Sequence, residues 1–140
     1  MILSKEKAVY KILNNDLTVS SEVLTLIESA QQYFRLHNGI NCTITRYGKL
    51  RTLFIGVDVV TAYNLPNTSI EIFTLDEIDW PNSTNAVSFV QGVPRNVESK
   101  PMRISIGNTG ITAITDCSRD SQSQVTANTF IMGIITYIAK

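Results

Sequence analysis

Between positions 39 and 62 apolar and polar residues trade places at nearly every step. Cys42 and Ile44 alternate with Asn41, Thr43 and Thr45. After a break at Tyr47-Gly48-Lys49, the residues Leu53, Ile55, Val57 and Val59 resume on one face. A side-chain period of two is that of a strand with one buried and one wet face, and the Thr, Ile and Val content suits a pleated surface. Gly48 supplies the positive φ of a tight turn. The stretch predicts a hairpin, the first of a β-domain over 39–140.

The pattern before it is different. Ile2, Val9, Ile12, Val19, Val23, Leu26, Ala30 and Tyr33 fall on a four-three seam that Lys5 and Asp16 interrupt, with Leu3, Tyr10, Leu13, Leu17, Leu24 and Ile27 on a second track beside them. That is the wide apolar stripe of a helix packed on more than one neighbour. Asn14-Asn15-Asp16 and Thr18 to Ser21 interrupt it, so the expectation is two short helices in a segment 1–38. The second begins at Ser20 or Ser21 and ends near His37, before the stop signal Asn38-Gly39. Such helices suit either a three-copy bundle, with Val23, Ile27 and Tyr33 at or near its axis, or a lone helix covering its own sheet.

Beyond position 62 the signals are again those of strands. SIEIFTL at 69–75 puts Ile70, Ile72 and Thr74 on one face and Phe73 and Leu75 on the other. Residues 86–90 form a second short strand. In 101–106, Met102, Ile104 and Ile106 point inward, and the tetrapeptide GNTG at 107–110 turns the chain back into 111–115. Residues 130–138 are apolar on both faces, the mark of a central strand or of one at a subunit interface. Polar loops separate these runs at 76–85, 92–100 and 116–124. The class expected is mainly β, a β-sandwich or jelly-roll-like head preceded by short N-terminal helices.

Composition narrows the chemistry. The 140 residues carry 17% charged side chains and no net charge, and they hold no cluster of Lys and Arg. Nucleic-acid binding is therefore not expected. No apolar run reaches the length that spans a bilayer, and Met1-Ile2-Leu3 runs straight into Lys5, Glu6 and Lys7. Neither membrane insertion nor a secretion signal is expected, and synthesis is expected in a cytoplasm. Cys42 and Cys117 form no CxxC pair and read as core thiols, with their redox state open. His37, the single histidine, has no partners at metal-ligand spacing, so no metal or cofactor is expected. Asp76, Glu77 and Asp79 invite comparison with a glycosidase acid pair, but neighbours on an extended segment point to opposite faces, and a solvated acidic turn accounts for them. No Ser or Cys nucleophile has an orienting partner, and GNTG has no helix to receive a phosphate.

Four segments, CTITRYGKLRTLFIGVDV, LPNTSIEIFTLDEIDWP, PMRISIGNTGITAI and VTANTFIMGIITYIAK, follow one another from 42 to 140. In their order the chain resembles the C-terminal head domains of phage tail receptor-binding and baseplate proteins from phages of Gram-positive bacteria. The resemblance implies a non-enzymatic virion protein of the tail tip or baseplate, a homotrimer that binds host cell-wall saccharide during adsorption and contacts other phage tail proteins. A purely structural accessory tail protein is the alternative, and a small glycan-cleaving enzyme a third. The short start of the chain leaves open whether it is a main receptor binder or an accessory. A saccharide needs an aromatic platform with donors and acceptors around it. The polar loops offer Trp80 with Asp79 and Asn82, Arg95, and Arg119, each Arg able to grip a phosphate bidentately. The leading reading of Trp80 is a buried plug beneath its loop, with the ligand platform as its alternative.

Overall fold

The computed structural model describes residues 19–62, 69–82, 85–93, 100–116 and 125–140. The first expected helix, Cys117, Arg95, Arg119 and the polar tracts around them lie outside the described residues.

Nine strands are present among the described residues: β1 (Val19–Leu24), β2 (Phe34–Leu36), β3 (Cys42–Tyr47), β4 (Leu50–Val59), β5 (Ser69–Thr74), β6 (Asn85–Val93), β7 (Lys100–Gly107), β8 (Ile111–Asp116) and β9 (Phe130–Ile138). All pairings are antiparallel. They form one hydrogen-bonded path, β1-β3-β4-β9-β6-β7-β8-β5, with β2 added beside β4. The mainly β class is therefore as the alternation predicts. The ladder divides into two antiparallel sheets, joined at its middle by only two residue pairs, Gly92 with Ile131 and Val93 with Phe130. Buried residues of both ends of this ladder belong to one core: Ile44, Leu53, Ile55 and Val57 from β3 and β4, Ile72 and Phe73 from β5, Met102, Ile104 and Ile106 from β7, and Ile131 and Ile135 from β9.

The first hairpin is where the sequence places it. Gly48, at φ 55°, turns β3 into β4, and Leu53, Ile55, Val57 and Val59 are all buried. Met102, Ile104 and Ile106 are likewise inward. β9 is central, between β4 and β6.

Two expectations are corrected. The helix expected over 20–37 does not form. Residues 19–24 pair with β3 in six successive positions, from Val19 opposite Tyr47 to Leu24 opposite Cys42. Only one helical turn, Glu28–Gln31, and a 3-10 turn at His37–Gly39 remain. The reason is in the spacing: residues four apart share a face in a strand as well as in a helix, so Val19 and Val23 satisfy both periods. The β-branched residues and serines around them favour the strand once β3 offers its edge. His37 opens the 3-10 turn; its Nδ1 lies 2.6 Å from Asp58 Oδ1 and its ring packs on Phe130 at 3.9 Å. The second correction lies in β5, where Ile72 and Phe73 are both buried. The register of β5 on β8 shifts between Glu71 and Phe73, and that irregularity turns two successive side chains inward.

Candidate functional site

Three features of the described surface bear on function. The first is the acidic segment at 76–82, where Trp80, Asp79 and Asn82 were expected to meet a ligand. Residues Glu77–Asp79 form a 3-10 turn, closed by Asp79 N–H donating to Asp76 O at 2.8 Å. The turn leaves Glu77 and Ile78 in solvent and sends Asp79 inward, where its side chain is 2% exposed.

The Asp79 carboxylate is held by two guanidiniums. Arg46 binds it bidentately, Nε to Oδ1 at 2.8 Å and Nη2 to Oδ2 at 2.6 Å, and Arg51 Nε adds a third bond to Oδ1 at 2.6 Å. Arg51 spends its other donors on the carbonyls of Gly48, Leu50 and Ile78. Tyr137 O–H donates to the Asp79 carbonyl at 2.6 Å. The register explains the cluster. The turn at Gly48-Lys49 places Arg46 directly opposite Arg51 on the inner face, where two like charges repel unless an anion lies between them. Burial alone would raise the pKa of Asp79, but hydrogen bonds from Arg46 and Arg51, with their charges, hold it below the usual carboxylate range. Arg46 is raised, chiefly by its hydrogen bond to Asp79. Burial, then the charge of Asp79, pushes the Tyr137 phenol up. This is an internal knot, and the sequence signal for it was the paired arginines of the hairpin rather than the acidic run.

Trp80 is half-buried. Its indole N–H donates to Leu75 O at 3.0 Å, and Lys140 Nζ stands 5.0 Å from the ring centroid. Gly110, at φ 80°, backs the ring so closely that a Cβ there would stand 2.7 Å from Trp80 Cδ1. These are the contacts of an anchor for the loop. Asn82 is exposed, with its backbone N–H on Ile138 O. Beside this loop a polar cavity of about 220 Å³ opens between Glu22, Thr25, Arg46, Thr74, Asp76 and Asp79.

The second feature is the outer face of β1, β3, β4 and β9. The register aligns three rows across the four strands: Val19, Tyr47, Leu50, Ile138; then Ser21, Thr45, Thr52, Thr136; then Val23, Thr43, Phe54, Ile134. None of these residues is charged. Val23 is 54% exposed and Ile134 58%. The middle row is a line of hydroxyls, with Ser21 to Thr45 at 3.4 Å and Thr52 to Thr136 at 3.3 Å. Of the other residues expected at an interface, Ile27 and Tyr33 are half-buried beside the core.

The third feature is inert. Cys42 is buried as a free thiol 3.8 Å from Gly56 O, and burial pushes its pKa up. Among the described residues no group of three or more His, Cys, Asp or Glu is placed to hold a metal, and no helix is long and apolar enough to cross a membrane.

One solved phage receptor-binding protein is similar in fold to this chain. The crystal structure of the receptor-binding protein (gp15) of Listeria phage PSA is similar to this chain over 99% of its length and 73% of the other chain, with a TM-score of 0.52 and 17% sequence identity. No protein-family model matches the sequence, and no match is found among curated proteins.

Proposed function

We propose that this chain is a non-enzymatic phage or prophage tail protein that assembles as a homotrimer and binds a host-surface saccharide during adsorption. The observation that carries the reading is the fold shared, over nearly the whole chain, with a phage receptor-binding protein. The three uncharged rows across β1, β3, β4 and β9 support the assembly: exposed apolar side chains such as Val23 and Ile134, on rows that include none of the charged residues, gain by being covered, and such a surface can meet a different patch of the next copy around a three-fold axis without charge repulsion. Each protomer then offers the loop with Trp80 and Asn82, with Arg95 and Arg119 remaining candidates from the sequence alone, and repetition around the symmetry axis raises a weak affinity by avidity.

The test is attachment of the purified chain to cell-wall fractions of Gram-positive bacteria, with its mass measured by light scattering in the same buffer. Saturable attachment without release of sugar, by a species of three-chain mass, is the expected result. Released sugar overturns the non-enzymatic reading. Absence of attachment overturns saccharide binding and leaves a structural tail component. A monomer mass at micromolar concentration overturns the trimer.

A further inference from the structure

The other half of the ladder has an outer face of different character. The register aligns Val87, Ser105, Ala113 and Glu71 in one row across β6, β7, β8 and β5, and Arg103, Thr115 and Ser69 in the next. Small residues at Gly107 and Ala113 leave a depression of about 290 Å³ on this face, walled by Val87 and Ile111 and edged by Ser105 and Thr109. Arg103 lies in it half-buried, and its Nε is shut off from solvent with no hydrogen-bond acceptor. Buried donors are nearly always satisfied in folded proteins, and Arg is the side chain whose planar fork fits a carboxylate or phosphate. Glu71 is the one carboxylate lining the groove. It stands two strands over and one row along, about 12 Å away by strand spacing, and the two are not ion-paired. Thr115 donates to Ser69, whose own hydroxyl also lines the groove, so Ser69, Ser105, Thr109 and Glu71 are the polar groups facing the space.

We infer that this groove is a ligand subsite for a small anionic polyol, a sugar or alditol carrying a phosphate or carboxylate. The anion sits on the Arg103 guanidinium, which turns Nε toward the groove as the ligand enters and so gains the acceptor that Nε lacks. Hydroxyl groups reach Glu71, Ser105 and Thr109, and the carbon face of the ligand lies against Val87 and Ile111. A groove of this volume takes about one ring with its substituent. Only the source of such a ligand, a host-surface polymer, rests on the reading above; the chemistry of the groove stands apart from it.

The experiment is an amide chemical-shift titration of the full chain with three probes: glycerol 1-phosphate, glucuronic acid and uncharged glucose. Anionic probes are expected to shift the amides of Arg103, Ser105 and Thr109, with glucose at least tenfold weaker. The phosphate and carboxylate arms tell which anion is preferred. Arg103→Gln is expected to weaken anion binding at least tenfold, Arg103→Lys to recover part of it, and Glu71→Gln to weaken it a few-fold. Equal binding of glucose and the anions, wild-type affinity in Arg103→Gln, or no shift with any probe at millimolar concentration overturns the subsite. If Arg103→Gln does not fold, the wild-type shift map and Glu71→Gln decide. Cell-wall attachment separates the two proposals: attachment undiminished in Arg103→Gln overturns a host-surface polymer as the ligand of this groove and leaves the adsorption reading. Probes that bind the groove of a chain with no affinity for cell walls leave the subsite and overturn that reading.

Discussion

On one side of the two-pair seam between β6 and β9, the outer surface is Val, Thr, Tyr, Leu, Phe and Ile in three aligned rows without a charge. On the other it is a hollow with a guanidinium, a carboxylate and three hydroxyls. Both are outer faces of the same antiparallel ladder, and their inner faces share one core. Strand geometry alone therefore says nothing about use. The difference lies in which residue types occupy the outward positions, and in whether they fill the face or leave it concave. A flat neutral face gains most by excluding water over its whole extent, while a concave polar face gains by presenting a few groups to a small molecule.

The comparison breaks most completely at the knot that ties the 76–82 segment to the hairpin. Asp79→Asn leaves Arg46 and Arg51 facing each other with no anion between them, and is expected to cost about 3–5 kcal/mol, a fall in melting temperature of roughly 10–17 °C for a chain of this size. Calorimetry or thermal circular dichroism reads it. Gly110→Ala comes next. It forces a Cβ into a positive-φ position and against Leu75 O and the Trp80 ring, for an expected loss of about 2–3 kcal/mol, visible as a shifted urea midpoint.

Acid titration sharpens the first of these. Because the folded-state pKa of Asp79 lies below its unfolded value, its stabilisation is complete above the unfolded value near ~3.9. It is lost as the pH falls through the folded value. The melting temperature should hold from pH 7 to about pH 5 and drop below about pH 4. In Asp79→Asn that acid drop should be shallower; an equally steep drop would show that other carboxylates set the acid limit.

Ile134→Asp addresses the neutral face by itself. The side chain is exposed in the protomer, so stability should move by only about 0.5 kcal/mol while light scattering reports loss of the trimer. Glu71→Lys, on the opposite face, should leave the mass unchanged. A trimer that survives Ile134→Asp places its interface elsewhere. The smallest effect is expected from Thr136→Val, which removes one hydroxyl of a cross-strand pair at 3.3 Å and should cost less than about 1 kcal/mol.

How far these features were legible in the sequence follows from the range of the interactions. The hairpin through Gly48 and the strand with Met102, Ile104 and Ile106 were legible because each is decided within a few residues by period and turn chemistry. β1 was not, since Val19 and Val23 fit both periods and the choice rests with β3, more than twenty positions away. The shift in β5 broke an alternation that had looked regular. Asp79 was hidden among Asp76 and Glu77, and its partner Arg46 is 33 positions distant. A single Arg at position 103 carries no mark in the sequence either; only the register of β5 to β8 shows the hollow it occupies.

The order of the ladder also bears on how the chain reaches it. β9 is central in space but follows every other strand in the sequence, and its pairing with β4 joins residues such as Thr52 and Thr136, 84 positions apart. Contacts of such separation form slowly, because a long loop must close before the ladder rewards it. Until β9 arrives, the β3–β4 hairpin waits with one edge of β4 unpaired and an apolar face on either side. An edge of that kind is where chains join the wrong neighbour. The strand that completes the sheet is thus also the one that ends its exposure to misassembly, and newly made chains are most vulnerable in the interval before residues 130–138 take their place.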